Sequence, residues 1–202
     1  MDTLGRNNFA RLRGALAGPI TLSHQNRQER FFRIPLRTER LSGAEDVVNV
    51  LARERLLQAD LQAAERLDVT GEIRTFNNST GVGAKLVISL FARQLTLSDE
   101  DTDENLVLVT GTICKPPVLR RTPLGREICD LMLAVNRHYG RSDYLPCLVW
   151  GERAHAAAKW SVGTVVSLAG RFQSRTYHKV LPDGAVEERT AFEISVAEIE
   201  RT

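Results

Sequence analysis

The sequence predicts an all-β chain made of two five-stranded barrels in tandem, each with one helix between its third and fourth strands. Three observations support this prediction. Short apolar segments that alternate with polar residues recur along the 202 residues and are separated by turn residues. The two halves repeat the same order of segments. A short acidic run, residues 98–104, separates the halves.

The repeat is marked by two pairs of glycines inside strand-like segments. Gly14 and Gly71 in the first half are 57 residues apart, and Gly111 and Gly170 in the second half are 59 residues apart. A small closed barrel bends its strands sharply and brings them close together, and glycine permits both. Glycines at matched positions therefore favour two barrels of one design over a chance distribution.

The second half carries the stronger strand pattern. Its polar residues 137–143 and the turn Pro182-Asp183-Gly184 separate alternating segments. Five strands with one helix between the third and fourth are the order of an OB-fold barrel. The predicted strands are 106–114, 127–136, 144–150, 164–177 and 189–199, with the helix at 152–160.

The first half shows the same order with weaker signals. Pro35 falls inside its second strand and cannot donate to a ladder, so a bulge or an edge position is expected there. The strands are predicted near 9–17, 30–38, 46–51, 67–76 and 84–95, with a helix near 52–66. The predicted domains are 1–97 and 105–202, joined by a solvated acidic linker at 98–104.

Composition narrows the class of protein without identifying it. The net charge is only +2, but 23 of the 27 basic residues are arginines. Arginine is suited to binding phosphates and to stacking on bases, although a coding bias in a GC-rich genome would give the same excess. Any basic surface must therefore come from the arrangement of charge and not from its total.

The cysteines and the apolar runs predict a cytoplasmic protein. Cys114, Cys129 and Cys147 lie in apolar segments and match no metal-binding spacing, so buried free thiols in a reducing compartment are expected. No apolar run approaches the length of a membrane span, and residues 1–13 lack the apolar stretch of a signal peptide.

Four segments of the second half resemble the bacterial single-stranded DNA-binding proteins, in the family's order and spacing. They are Gly111–Gly125 (GTICKPPVLRRTPLG), Leu133–Arg137 (LAVNR), Leu148–Gly151 (LVWG) and Leu168–Tyr177 (LAGRFQSRTY). Two barrels in one chain resemble the tandem form of the Deinococcus and Thermus group. The resemblance implies an OB-fold that wraps single-stranded DNA, and a homodimer that supplies four barrels. The family's acidic C-terminal tail has no match here, so recruitment of repair enzymes through it is doubtful.

The resemblance also implies where bases stack. The family's stacking positions fall on four aromatic residues of this sequence: Tyr139, Tyr144, Trp150 and Tyr177. Other interpretations stay open: a core position for Trp150 or Tyr177, and a rim position for Tyr144.

Basic residues surround these aromatics, as a single strand requires for its phosphates. On the fourth strand Arg171, Gln173 and Arg175 share one face with Tyr177, because they follow a period of two. Arg120 and Arg121 could instead belong to a solvated loop. The predicted phosphate contacts are Arg120, Arg121, Arg126, Arg137, Arg141, Arg171, Arg175 and Lys179.

The first half lacks the aromatic set. The glycine offsets match Tyr139 with Ser42, Trp150 with Leu51, and Tyr177 with Asn78, and acidic Glu45 and Asp46 fall near the counterpart of Tyr144. A basic run and Phe76, as a single candidate platform, remain there. We therefore expect an auxiliary barrel that serves oligomerisation. The basic run consists of Arg27, Arg30, Arg33, Arg37 and Arg40.

The sequence predicts a binding protein and not an enzyme. It shows no catalytic grouping, phosphate loop or metal-ligand cluster at a meaningful spacing, and it implies no cofactor. The predicted function is sequence-nonspecific binding and protection of single-stranded DNA in replication, recombination and repair. The alternatives are a protein-interaction module of a plasmid or primosome-type replication complex, and single-stranded RNA binding.

Overall fold

The chain folds mainly into β-strands, which confirms the predicted all-β class. The computed structural model describes residues 7–57, 61, 65–78, 85–137, 140–181 and 183–202. Within them, the first half contains β1 (Asn8–Leu16), β2 (Thr21–Asn26), β3 (Glu29–Glu39), β4 (Glu45–Arg53), a 3-10 helix (Glu54–Leu56), β5 (Arg66–Asn77) and β6 (Leu86–Leu97). The second half contains β7 (Glu104–Ile113), β8 (Val118–Arg121), β9 (Glu127–Asn136), β10 (Ser142–Trp150), α1 (Glu152–Ala157), β11 (Val165–Val180) and β12 (Val186–Arg201).

The chain divides into two compact units, and each unit is built from two separate stretches of the sequence. The first unit runs to Arg74 and includes Ser89–Leu108, and the second contains Thr75–Ile88 and Val109–Thr202. The end of β5 and the start of β6 therefore belong to the second unit. The domain boundaries at 97 and 105 stay a prediction, because this division follows contacts in space and not the order of the chain.

In the first unit the strand pairing forms a closed ring. β3 pairs with β1 and β4, β4 runs parallel to β6, and β5 connects β6 back to β1. The β2–β3 hairpin extends outside the ring, with Arg27 at a positive φ of 54° in its turn. The unit's fully buried side chains include Leu12, Ile34, Val48 and Leu67. Each such side chain contributes about 1.5–3 kcal/mol by leaving water.

The second unit repeats this ring with β7, β9, β10, β12 and β11. Its register is the same: Ala15 pairs with Arg37 in the first ring, and Thr112 pairs with Ala134 in the second. Thr112 and Ala134 each lie 97 positions after their counterparts, Ala15 and Arg37. The fully buried side chains include Ile113, Leu133, Leu145, Phe172 and Ile194.

The strand glycines stand where neighbouring backbones touch, as the sequence predicted. A Cβ atom at Gly71 would lie 2.1 Å from the Phe91 carbonyl oxygen, and one at Gly170 would lie 2.4 Å from that of Ser195. At the counterparts Gly14 and Gly111 the corresponding distances to a backbone oxygen are 2.0 and 3.0 Å. A larger residue at Gly14, Gly71 or Gly170 would therefore require a shift of the backbone, whereas Gly111 is less tightly enclosed.

The helix predicted near 52–66 is wrong in its described part. Arg53 still pairs with Phe31 in the β3–β4 ladder, and the residues described directly after it form a short 3-10 helix at Glu54–Leu56. The ladder keeps the chain extended where the leucine spacing suggested an α-helix. Residues 58–60 and 62–64 of that prediction lie outside the described residues. In the second unit a helix does separate β10 from β11, at Glu152–Ala157.

Pro35 lies inside β3 without a bulge at its own position. The β2 ladder on β3 ends at Arg33, and the β1 ladder begins at Leu36. Pro35 falls in the gap, where its carbonyl accepts a hydrogen bond of 2.9 Å from the Ala17 N–H. The N–H and C=O of one residue point to the same side of a strand. Proline has no N–H, and here that missing donor lies where the partner of β3 changes from β2 to β1.

The acidic run is exposed or half-exposed to solvent, and it also binds side chains of the first unit; its role as a linker stays a prediction. Arg13 donates to the Thr102 carbonyl at 2.8 Å and pairs with Glu100 at 2.9 Å. Asp103 accepts the Glu39 N–H at 2.6 Å and forms an ion pair with Arg66. The run neutralises arginines on β1 and β5, a long-range contact that its composition could not reveal.

The three cysteines are free thiols, and two of them are buried. Cys129 and Cys147 are buried and Cys114 is half-buried. Burial raises the pKa of the Cys147 thiol, which keeps it protonated and unreactive. In the part of the chain that the structure describes, no cluster of His, Cys, Asp and Glu is arranged for a metal ion. Among those residues, no helix has the length and apolarity to cross a membrane.

Candidate nucleic-acid interface

Strand β10 separates a buried row from an outward row of side chains. Asp143, Leu145 and Cys147 point inward and are buried, because alternate residues of a strand face opposite sides. Tyr144 and Trp150 share the other row. The Tyr144 side chain is 51% exposed, so it is not part of the core.

Trp150 is half-buried and held by a hydrogen bond to β12. Its indole N–H donates to the Ser195 hydroxyl at 3.1 Å. Ser195 is in turn paired with Arg171 on β11. Ser195 is itself buried, at 7% exposed, so this hydrogen bond orients the half-buried Trp150, and its role in base stacking stays a prediction.

The β11–β12 hairpin continues this surface. Arg171, Gln173, Arg175 and Tyr177 follow one another at a period of two on β11, as the sequence predicted. The Arg175 guanidinium lies 5.6 Å from the centre of the Tyr177 ring, a cation–π geometry. The hairpin therefore presents an aromatic ring and positive charge side by side.

One acidic side chain, Glu193, lies within this basic surface. It is paired across the hairpin with Gln173, whose amide donates to it at 3.3 Å, and Arg175 lies 4.0 Å away. Burial raises the pKa of the Glu193 carboxyl, Arg175 lowers it to a lesser extent, and Asp130 raises it. The carboxyl is only 12% exposed. Sequence analysis missed it, although its period-two position on β12 was a usable signal.

Two predicted phosphate contacts are engaged in exposed ion pairs. Arg120 donates to Asp130 at 3.0 Å, and Arg121 pairs with Glu127 at 2.9 Å. The hydrogen bond to Asp130 raises the pKa of Arg120, and Arg121 together with His155 lowers the pKa of Glu127. Exposed pairs of this kind contribute little to stability, so a phosphate can replace the carboxylate at small cost.

Three further predicted contacts present free charge. Arg126, Arg141 and Lys179 are exposed and form no ion pair among the described residues. Tyr139 lies outside the described residues, so its role stays a prediction.

Arg137 differs from the other predicted phosphate contacts because it is part of a buried cluster. Its Nε donates to Asp143 at 2.6 Å, and its terminal nitrogen donates to the Thr75 carbonyl at 3.0 Å. Asp143 is fully buried. Moving this guanidinium to a phosphate would leave a buried carboxylate without its counter-charge, so we assign Arg137 a structural role.

The first unit contains the same buried pair. Arg40 donates to Asp46 at 2.6 Å, and Asp46 is fully buried like Asp143, 97 positions later. Of the two acids predicted near the counterpart of Tyr144, Asp46 is therefore part of the framework, whereas Glu45 is exposed and pairs with Arg37 at 2.9 Å. At this offset the counterpart of Tyr144 is Val47.

The same offset corrects the counterpart of Trp150. Trp150 pairs with Ile128, and Arg53 pairs with Phe31, so the counterpart is Arg53 and not Leu51. Ser195 likewise corresponds to Phe91, because each lies opposite an equivalent residue on the parallel neighbour.

An aromatic cluster that sequence analysis missed surrounds this position in the first unit. The guanidinium groups of Arg53 and Arg93 lie 5.5 and 5.2 Å from the centre of the Phe91 ring. Phe31 lies 6.3 Å from Phe91, and His24 stacks on Phe31 at 4.7 Å. These rings are already covered by their neighbours, so they offer less open surface than Tyr144.

The fold and this surface define a class: an all-β protein with closed rings of strands, one of which carries aromatic side chains and guanidinium groups on its outward side. Residues 104–202 match the model of the Single-strand binding protein family. This part of the chain resembles that family, which confirms the predicted resemblance.

Curated relatives match the same half of the chain. Single-stranded DNA-binding protein 3 of Streptococcus agalactiae is 35% identical over 80 residues, covering 36% of this chain and 57% of the relative. Single-stranded DNA-binding protein 2 of Listeria innocua is also 35% identical over 80 residues, covering 36% of this chain and 50% of the relative. The chain thus spans about half the length of the curated relatives that it matches.

A solved structure matches nearly the whole chain. The wild-type single-stranded DNA-binding protein of Thermus aquaticus superposes with a TM-score of 0.73 at 19% identity, covering 96% of this chain and 92% of the other. A deletion mutant of the same protein gives a TM-score of 0.73 at 20% identity. At this identity the likeness shows the shared fold.

Proposed function

We propose that this protein binds single-stranded DNA without sequence preference and protects it during replication, recombination and repair. The observation that carries the proposal is the outer surface of β10, β12 and β11. There Tyr144, Trp150 and Tyr177 alternate with Arg171 and Arg175. The family match over residues 104–202 supports it independently.

The physical basis is general to single strands. Every base has a π-face, so stacking on aromatic side chains tolerates any sequence and contributes about 1–3 kcal/mol per base. Basic side chains bind the backbone by releasing counterions. No covalent chemistry is needed, so the proposed activity is binding alone, without an enzyme's reaction. DNA as the ligand would place the protein in the cytoplasm.

The proposal extends to the organisation of the protein. We propose that each closed ring of strands is an OB-fold barrel and that the first is auxiliary. We further propose a homodimer, since four barrels give a single strand a longer path than two. Light scattering at micromolar concentration should then give twice the chain mass of 22.5 kDa, and a monomer would contradict the dimer.

The test of binding is a titration with oligo-dT at two salt concentrations. Bases that stack on Trp150 should quench tryptophan emission. Binding to three or more phosphates should give a log–log salt slope of about −2 or steeper. A Trp150→Phe variant identifies the quenched tryptophan, because Trp160 remains.

Two outcomes would redirect the proposal. The absence of quenching up to micromolar protein would favour a protein-interaction module. Tighter binding to oligo-U of equal length would favour RNA. Either result would contradict DNA as the ligand.

A further inference from the structure

A segment from the first half of the sequence is built into the candidate interface of the second unit. Thr75, at the end of β5, belongs to the second unit and is 8% exposed. Its N–H donates to the buried Asp143 at 2.5 Å, and its hydroxyl accepts the Tyr144 N–H at 3.0 Å. Its carbonyl accepts from Arg137 at 3.0 Å.

These hydrogen bonds fix the position of the segment. Asp143 is fully buried, and its Oδ1 accepts from both Thr75 and Arg137, so loss of the Thr75 N–H would remove one of its few charge-assisted hydrogen bonds. Hydrogen bonds to charged groups are about twice as strong as neutral ones. The backbone of β5 is therefore held directly beside the first outward aromatic of β10, Tyr144.

The residues that follow Thr75 carry the chemistry of a single-strand contact. Phe76 is an exposed aromatic, 54% accessible, and so has no role in the core. Asn78 and Lys85 close the hairpin with an N–H to carbonyl bond of 2.7 Å. Lys85 is exposed and forms no ion pair within the described ranges. An aromatic ring and a free ammonium group thus flank an anchored backbone.

We propose that Phe76 is an additional base-stacking residue of the single-strand site, next along the path from Tyr144, and that Lys85 contacts a phosphate beside it. This inference rests on the proposed function. It assigns to the second unit's site two residues that lie outside the family match.

The first test is the affinity of the full chain for oligo-dT. Phe76→Ala should weaken binding about fivefold or more, the lower end of the loss expected for one stacked base. Phe76→Leu should weaken it similarly, because leucine keeps the apolar surface but has no π-face. Leu97→Ala is the matched control: it removes a side chain of the first unit that is 44% exposed, and should leave affinity unchanged.

The second test reports stacking at the position itself. In a Trp150→Phe, Trp160→Phe background, Phe76→Trp makes residue 76 the single tryptophan. Saturating oligo-dT should quench its emission. The thermal midpoint should match that of the parent, since the side chain is exposed.

Failure of this inference is distinguishable from failure of the proposed function. If wild-type protein does not bind oligo-dT, the proposed function falls. If wild type binds and Tyr144→Ala weakens binding while Phe76→Ala does not, only the role of Phe76 falls. Wild-type affinity in Phe76→Leu, or unquenched emission from Trp at position 76, would also overturn it.

Discussion

Each unit contains a ring of strands with the same order of pairing, but the two rings carry a large aromatic side chain on different strands. In the second unit Trp150 donates to the small Ser195, and the large ring belongs to β10. In the first unit the ring, Phe91, belongs to the neighbouring strand, and Arg53 lies over it. In the second unit the aromatic residue is on β10, and its ring covers this position. In the first unit the aromatic residue is on β6, and the Arg53 guanidinium lies over it instead.

The rest of the surface shows the same contrast. Val47 stands in place of Tyr144, and Asn78 in place of Tyr177. The long strands β11 and β12 have 16 residues each, whereas β5 and β6 have 12. The framework is thus common to both units, while the proposed base-stacking groups belong to the second.

The largest effect is expected in the common framework. Asp143→Asn and Asp46→Asn should each lower the free energy of unfolding by about 3 kcal/mol, because each leaves a buried arginine pair broken. Urea unfolding followed by circular dichroism measures both. A large loss in one variant and none in the other would show that the matched pairs are not equivalent.

The next effect separates the units by function. Trp150→Ala should weaken binding of oligo-dT by about 1–3 kcal/mol, since one stacking face is lost. Its counterpart Arg53→Ala should change affinity by less than about 0.5 kcal/mol. Filter binding or fluorescence anisotropy would measure both. Equal losses would mean that both units present comparable sites.

A third comparison concerns the hairpins. Tyr177→Ala should weaken binding within the same range of about 1–3 kcal/mol, and Asn78→Ala should have almost no effect. The measurement is the same titration at one salt concentration. If Asn78 mattered as much as Tyr177, the proposed asymmetry would be wrong.

The smallest effect is a pH dependence that only the second unit should show. The pKa of Glu193 is raised, and an approaching phosphate favours its protonated form, so DNA binding should tighten as pH falls toward that pKa. Glu193→Gln should bind more tightly at neutral pH and lose this dependence. An unchanged pH profile in the variant would assign the dependence to another group. The first unit has Ser89 at the matched position, which does not titrate.

Local patterns in the sequence predicted most of the fold. Strand β9 begins and ends where predicted, at Glu127 and Asn136, because its alternation and flanking loops are clear. The strand glycines were interpreted correctly, since only a close backbone approach explains their matched positions. β2 and β8 were missed because both are short, exposed and without a buried row.

The site was predicted less completely, because its contacts join residues that are distant in the chain. The pairing of Trp150 with Ser195 and of Thr75 with Asp143 depends on strand register, which no local pattern shows. The number of positions between equivalent residues of the two halves also changes, from 97 at Gly14 to 99 at Gly71. The value of 99 was applied to Trp150, so Leu51 was assigned as its counterpart instead of Arg53. Only the observed ladders show that this change comes after β4.

The hydrogen bond between Thr75 and Asp143 also bears on whether the second half of the chain can fold without the first. The family resemblance begins at residue 104, yet a polypeptide starting there would lack the N–H that satisfies Asp143 and the hydroxyl that receives the Tyr144 N–H. The family match, residues 104–202, thus leaves out Thr75–Ile88, which the second unit also contains. A fragment meant to keep the second unit intact should therefore include the β5–β6 residues Thr75–Ile88.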